Sequence, residues 1–113
     1  MKTSPPRDLF PGALEMMVLE SLRRQPAHGY ALVQHIQQRS NNLLQVEEGS
    51  LYPALHRMEQ ERLIASEWGV SENNRRARFY RLTASGRKQL ATEQENWRKI
   101  TGAVALVLDF QPV

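Results

Sequence analysis

The sequence predicts a mainly α-helical fold with a small β-hairpin. Three segments with the helical spacing of apolar residues occupy the first half of the chain. Two segments rich in β-branched and aromatic residues then flank a polar turn, and a last helical pattern follows them. A length of 113 residues suits a single domain.

Composition excludes several classes of protein. Hydrophobic residues make up 41% and charged residues 24%, which is typical of a globular chain rather than a disordered or membrane-embedded one. With no cysteine there is no disulfide framework, thiol nucleophile or zinc finger. No apolar run has membrane-spanning length, and residues 1–8 lack a signal-peptide core, so we expect a cytoplasmic protein that does not act at a membrane.

The N-terminal part is expected to be a flexible arm followed by a helix. Residues 1–8 hold two prolines and few apolar side chains, and Pro11 fits a first helical turn. The helix over residues 13–24 is apolar on two sides, because Met16 and Leu19 do not share the main face. A second apolar side predicts another layer, from this chain or a second one. The main face contains Leu14, Met17, Val18, Ser21 and Leu22.

Two further helices are predicted over residues 28–40 and 50–62. Ser50 is a good N-cap for the latter, and Pro53 is tolerated if it lies in the first turn. The expected buried face of this third helix comprises Leu51, Ala54, Leu55 and Met58. Pro53, His56, Arg57 and Gln60 project to the opposite side, with Tyr52 and Glu59 on one flank.

A hairpin is predicted from strands over residues 63–69 and 78–82. Its turn is long and basic, and no acidic residue occurs from Arg75 to Thr92. The net charge of +3 is small, so the clustering of basic residues in this segment is more informative than the total charge.

The last helix is expected to start at the N-cap Thr83 and to continue to residue 109, leaving residues 110–113 as a tail. Its apolar positions follow one another by seven, three, four and three residues, which is coiled-coil spacing. We therefore interpret residues 84–109 as a dimerisation helix. The expected dimer interface contains Met16, Leu19, Leu90, Trp97, Ile100, Val104 and Val107.

Three helices followed by a basic hairpin is the element order of a winged helix-turn-helix, here over residues 9–83. In that architecture the outward side of the third helix enters the major groove of DNA, and the hairpin tip, or wing, lies on the phosphate backbone or in the minor groove. Arginine suits phosphate contacts because its planar fork pairs with two oxygens. The candidate DNA contacts are Ser50, Tyr52, His56, Arg57, Gln60, Asn74, Arg75, Arg76 and Arg78.

Four stretches resemble the PadR family of bacterial transcriptional regulators, in order and at compatible spacing. They are Leu9 to Leu19, His28-Gly29-Tyr30, Glu48 to Leu55 and Arg78 to Thr83. The single terminal helix is similar to the short-tailed subgroup of that family. The resemblance spans residues 9 to about 108.

The resemblance implies a homodimer that binds a pseudo-palindromic operator in double-stranded DNA and usually represses transcription. It also implies that Tyr52 and the wing arginines contact DNA. Relatives respond to small aromatic effectors, so Trp97 is a candidate effector-binding residue as well as an interface residue.

Two other classes of protein remain as alternatives. The same face could bind a protein without specific DNA affinity, as a winged-helix interaction module. An enzyme fits worst, because no phosphate loop and no nucleophile beside a base is apparent. No cofactor or metal site is expected: His28 and His35 lie two helical turns apart, roughly 10 Å.

Overall fold

In a computed structural model, which describes residues 12–110, four helices surround a three-stranded antiparallel sheet. The predicted mainly α-helical fold with a hairpin is confirmed. The flexible arm, the helix start at Pro11 and residues 111–113 of the tail lie outside the described residues. The helices are α1 (Ala13–Arg24), α2 (Gly29–Arg39), α3 (Glu48–Gln60) and α4 (Ala84–Val107), and the strands are β1 (Ala27–His28), β2 (Ile64–Val70) and β3 (Arg76–Leu82).

The core lies between α1, α2, α3 and the inner side of the hairpin. α1 packs against α2, α3, α4 and β3, so it is covered on several sides by its own chain. Leu19 is consequently only 1% exposed, and the prediction that it faces a second chain is wrong. The predicted inner face of α3 is confirmed, because each of its four residues is at most 1% exposed: Leu51, Ala54, Leu55 and Met58.

The sheet has one strand more than the sequence predicts. β3 is central, with β2 on one side and the two-residue β1 on the other. β1 pairs through Ala27 with Tyr80 and through His28 with Phe79. Within the hairpin, Trp68 lies opposite Arg78 and Val70 opposite Arg76. β3 therefore begins at Arg76, two residues earlier than predicted, and the turn is shorter.

α3 begins earlier than predicted. The backbone N–H groups of Ser50 and Leu51 both donate to the carbonyl oxygen of Glu47, which is the N-cap. Ser50 is thus inside the helix, and its assignment as N-cap is wrong. Pro53 then lies in the second turn, where it cannot donate to the Gly49 carbonyl. Glu47 and Glu48 occupy the end of the helix where the dipole favours negative charge.

α4 has 24 residues, about 36 Å at 1.5 Å per residue. The predicted N-cap is confirmed: the Thr83 hydroxyl accepts from the Gly86 backbone N–H at 3.0 Å. Leu90 is 2% exposed and belongs to the core of the protomer, so its assignment to a dimer interface is corrected. No helix in residues 12–110 is long and apolar enough to cross a membrane.

Candidate nucleic-acid interface

The outward face of α3 carries exposed polar side chains. Ser50, Tyr52, His56 and Gln60 are all exposed, as their helical positions predict. Tyr52 also has a packing role, because a side chain on Gly29 at the start of α2 would overlap its hydroxyl group. The ring of Tyr52 thus holds α3 against α2 while 44% of the residue remains exposed.

Arg57, also on this face, is directed to α1. Its guanidinium donates to a carboxylate oxygen of Glu15 at 2.9 Å. This ion pair is largely exposed, so its contribution to stability is small, but it gives the Arg57 side chain a partner within the chain.

The wing tip is a tight turn that presents Arg75 to solvent. The backbone N–H of Asn74 donates to the Ser71 carbonyl at 2.9 Å, and the backbone N–H of Ser71 donates to the Arg75 carbonyl at 2.8 Å. Asn74 has a positive φ of 58°, a conformation that asparagine adopts more readily than most residues. The sequence Asn-Asn before the arginines therefore suits this turn.

Arg76 and Arg78 project from the same face of β3, where they meet Trp68 of β2. The guanidinium carbon of Arg76 is 4.5 Å from the centre of the Trp68 ring, and that of Arg78 is 5.4 Å from it. Both distances are within the range of cation–π attraction. The tryptophan, itself 55% exposed, thus orders two cations of the wing.

Arg78 also reaches α3. Its Nε donates to the Ser66 hydroxyl at 2.8 Å, and Ser66 donates to a carboxylate oxygen of Glu59 at 2.6 Å. The second guanidinium nitrogen of Arg78 lies 3.7 Å from the same carboxylate. The wing and α3 are therefore linked by side chains as well as by the backbone.

A groove separates α3 from the wing. Burial and the nearby Glu59 carboxylate raise the pKa of the Tyr80 phenol at its base, an effect that Arg78 partly offsets. A protonated phenol at neutral pH can donate a hydrogen bond. The groove is lined by Tyr52, His56, Glu59, Gln60, Arg78 and Tyr80.

A second groove, of about 600 Å³, lies on the side of the molecule formed by α1, α2 and α4. Met16, Met17 and Trp97 contribute apolar surface to it, and Arg39 and Arg98 contribute charge. Met16 and Trp97 are half-buried. Beyond this groove the C-terminal part of α4 and the residues after it expose large apolar side chains, which include Ile100, Val104, Leu106, Val107, Leu108 and Phe110.

Sequence reasoning missed the roles of Trp68, Ser66 and Glu59 at the site. A tryptophan next to a basic turn is a signal that could have indicated cation–π stacking. The Ser66–Glu59 contact depends on the angle between α3 and the hairpin, and residue spacing does not determine that angle. His28, considered and rejected as a metal ligand, has an observed role as the N-cap of α2, where its Nδ1 accepts from the Ala31 N–H at 3.2 Å.

Comparison with known proteins connects this geometry to a family. A model of the PadR-like family of transcriptional regulators matches residues 18–92. A transcriptional regulator of Mycobacterium tuberculosis is 33% identical over 88 residues, which cover 78% of each chain. An uncharacterised protein of Lysinibacillus sphaericus is 26% identical over 102 residues, which cover 90% of this chain and 94% of that one.

Solved structures of similar proteins indicate the same family. A transcriptional regulator from Clostridium thermocellum superposes with a TM-score of 0.78 at 27% identity, over 86% of this chain and 94% of that one. A PadR family regulator from Eggerthella lenta has a TM-score of 0.70 at 33% identity, over 86% and 79% of the two chains. Both proteins are transcriptional regulators, so the prediction of a regulator rather than an enzyme is confirmed. The chain belongs to the PadR-like family of transcriptional regulators.

Proposed function

We propose that the protein is a cytoplasmic, sequence-specific DNA-binding repressor that acts as a homodimer on a pseudo-palindromic operator. The observation that carries the proposal is the position of exposed polar side chains on α3 beside a wing on which Arg75 and Arg76 are exposed. Base readout combined with phosphate contact requires polar groups and cations side by side.

The proposed contacts divide by chemistry. His56 and Gln60 of α3 can donate to or accept from base edges in the major groove. For Tyr52 and Ser50, nearer the start of α3, we propose phosphate contacts through their hydroxyl groups. Arg57 would have to leave Glu15 to contact DNA.

On the wing we propose phosphate contacts from Asn74, Arg75 and Arg76. Arg75 is exposed at the tip, and Arg76 is held over Trp68 with its charge available. Each neutralised phosphate releases counterions, so binding should depend steeply on salt. Arg78 differs from these residues, because it already has two partners within the chain.

The homodimer is proposed from the uncovered apolar part of α4. Val104 is 39% and Val107 is 84% exposed, and a small domain rarely leaves such a stripe in water. Pairing of two copies about a two-fold axis through Trp97, Ile100, Val104 and Val107, with Met16 at the margin, would cover it. The two-fold axis would space the two α3 helices so that they bind half-sites separated by one DNA turn or a multiple of it.

We further propose that a small aromatic effector controls DNA release from the groove beside Trp97. Its volume of about 600 Å³ suits a small molecule, and the Trp97 ring offers a stacking surface. A ligand there would contact both α1 and α4. It would thereby change the orientation of the two protomers relative to each other.

Selection from random double-stranded DNA with the intact protein tests the central proposal. We expect recovery of a two-fold symmetric sequence, bound at least 10³ times more tightly than a scrambled duplex at physiological salt. Arg75→Ala with Arg76→Ala should lower the salt slope by about 0.9 per arginine, with Lys99→Ala on α4 as the control. Recovery of no common sequence would instead favour the protein-interaction module.

Repression is tested separately with the selected sequence. Placed over the promoter of a reporter gene, it should lower transcription when the protein is present. A rise in transcription would identify an activator and contradict the repressor assignment.

A further inference from the structure

A carboxylate, that of Glu59, lies in the groove between α3 and the wing. Glu59 projects from α3 towards β2 and β3, and its side chain is 33% exposed. A free negative charge at this place would repel the phosphates that Arg75 and Arg76 would attract. The presence of Glu59 therefore points to a role other than direct contact.

Glu59 is engaged through a three-member chain of polar contacts. Arg78 Nε donates to the Ser66 hydroxyl, and that hydroxyl donates its own proton to the Glu59 carboxylate. The hydroxyl of Ser66 is thereby engaged both as acceptor and as donor. The 3.7 Å approach of Arg78 to the carboxylate adds charge attraction across the same bridge.

The three residues come from three elements of the site. Glu59 is on α3, Ser66 is on β2 and Arg78 is on β3. Ser66 and Trp68 share one face of β2, since they are two residues apart, and Trp68 lies opposite Arg78. The Trp68 ring, 5.4 Å from the guanidinium carbon, further limits where the Arg78 side chain can move.

We infer that Arg78 is a positioning residue rather than a phosphate contact: with Ser66 and Glu59 it sets the angle between the wing and the reading helix. This inference rests on the proposed DNA-binding function. A fixed angle makes base contacts from α3 and phosphate contacts from the wing occur together, and so it supports discrimination between sequences more than overall affinity.

Ser66→Ala is the sharpest test, because it removes the bridge and leaves every charge in place. The probes are the selected duplex and a scrambled duplex of equal length. We expect Ser66→Ala to lower the ratio of the two affinities on the order of tenfold, the effect of losing a hydrogen bond to a charged group. The salt slope on the scrambled duplex should not change. Ser85→Ala, at an exposed serine of α4, is the matched control and should leave the ratio unchanged.

The double variant Ser66→Ala/Arg78→Ala separates positioning from contact. If Arg78 acts through Ser66, the double variant should discriminate no worse than Arg78→Ala alone. Additive losses, with a salt slope reduced as much by Arg78→Ala as by Arg75→Ala, would overturn the inference.

Amide hydrogen exchange without DNA keeps this result distinct from failure of the proposed function. Residues 64–82 should exchange faster in Ser66→Ala than in the wild-type protein, while α4 is unchanged. Unchanged exchange would overturn the positioning role even if DNA binding is established. If exchange is faster in Ser66→Ala but the wild-type protein selects no DNA sequence, the bridge does hold the wing and it is the DNA-binding proposal that is rejected.

Discussion

The two ends of α4 have the same backbone hydrogen bonding but opposite surroundings. At the first turns, the Thr83 hydroxyl also shares its one proton between the carbonyl oxygens of Arg62 and Leu63, at 2.7 and 2.9 Å, and Leu90 enters the core. At the last turns, Leu106 and Val107 are 76% and 84% exposed. One end is thus fixed by the folding of a single chain, whereas the other presents apolar surface that the rest of residues 12–110 does not cover.

The middle of the helix is intermediate. Gln94 donates to Glu20 of α1 at 3.2 Å, and Trp97 borders the groove between the helices. The contrast teaches that helical periodicity locates an apolar stripe but does not tell which part of it belongs to the protomer. Four predictions sharpen this contrast.

Gly86→Ala should have the largest effect, because a Cβ at Gly86 would overlap the Leu63 carbonyl oxygen and the Leu82 side chain. We expect a loss of about 3 kcal/mol or more in the free energy of unfolding by urea. Gly102→Ala is the matched control at the other end of the helix. Nothing lies within 4 Å of its Cβ position, so it should stabilise the protein by about 0.5–1 kcal/mol. Similar effects at the two glycines would contradict the asymmetry.

Val104→Glu should disrupt pairing of two copies. Burying an unpaired carboxylate costs about 3 kcal/mol, so the dimer dissociation constant should rise on the order of a hundredfold. Sedimentation at low micromolar concentration should give twice the 13.0 kDa chain mass for the wild-type protein and a smaller mass for the variant. Lys99→Glu, at an exposed lysine of the same helix, should not change the mass. A wild-type mass near 13 kDa would refute the dimer itself.

Thr83→Ala should cost about 1 kcal/mol through loss of the N-cap, with a somewhat larger cost if the Arg62 and Leu63 carbonyls are not hydrated. Thermal unfolding would show this as a midpoint lower by several degrees. Thr92→Ala, at an exposed site of α4, is the control and should leave the midpoint nearly unchanged. Equal shifts for the two variants would show that the cap does not fix this end.

The smallest effect is expected at Glu20, beside the middle of α4. A hydrogen bond from Arg23 lowers the pKa of the Glu20 carboxyl below its ordinary value. Because the pKa is lower in the folded state, this stabilisation is present at neutral pH and is lost as the pH falls through the lowered pKa of Glu20. Glu20→Gln should therefore cost less than about 1 kcal/mol at pH 7 and nothing at low pH. High salt should reduce the difference; a larger cost at low pH would contradict the assignment.

The sequence predicted the parts of the fold that depend on local spacing. The inner face of α3 and the Thr83 cap follow from helical periodicity and side-chain chemistry. The parts it missed depend on residues far apart in the chain: β1 pairs Ala27 with Tyr80, and Arg57 finds Glu15. The assignment of Leu19 to a dimer interface is wrong for the same reason, because its burial depends on the packing of α2, α3, α4 and β3 around α1.

For the candidate site, the sequence located the basic wing but not the pairing within it. The sequence predicts Arg76 in the turn and Arg78 at the start of the second strand, whereas both are in β3 and stack on Trp68. The strand register that brings these side chains together is set by the tight turn at Ser71 to Arg75, which the two asparagines only suggest.

The short pairing of β1 has a consequence for solubility. On the β1 side, within the described residues, β3 has a partner strand only at Phe79 and Tyr80, so the backbone of its first residues is an open sheet edge. Open edges invite strands of other molecules to add, and closely spaced cationic side chains oppose such addition by repelling their own copies. Arg76 and Arg78 are therefore expected to oppose edge-to-edge association of the hairpin with other copies of the chain.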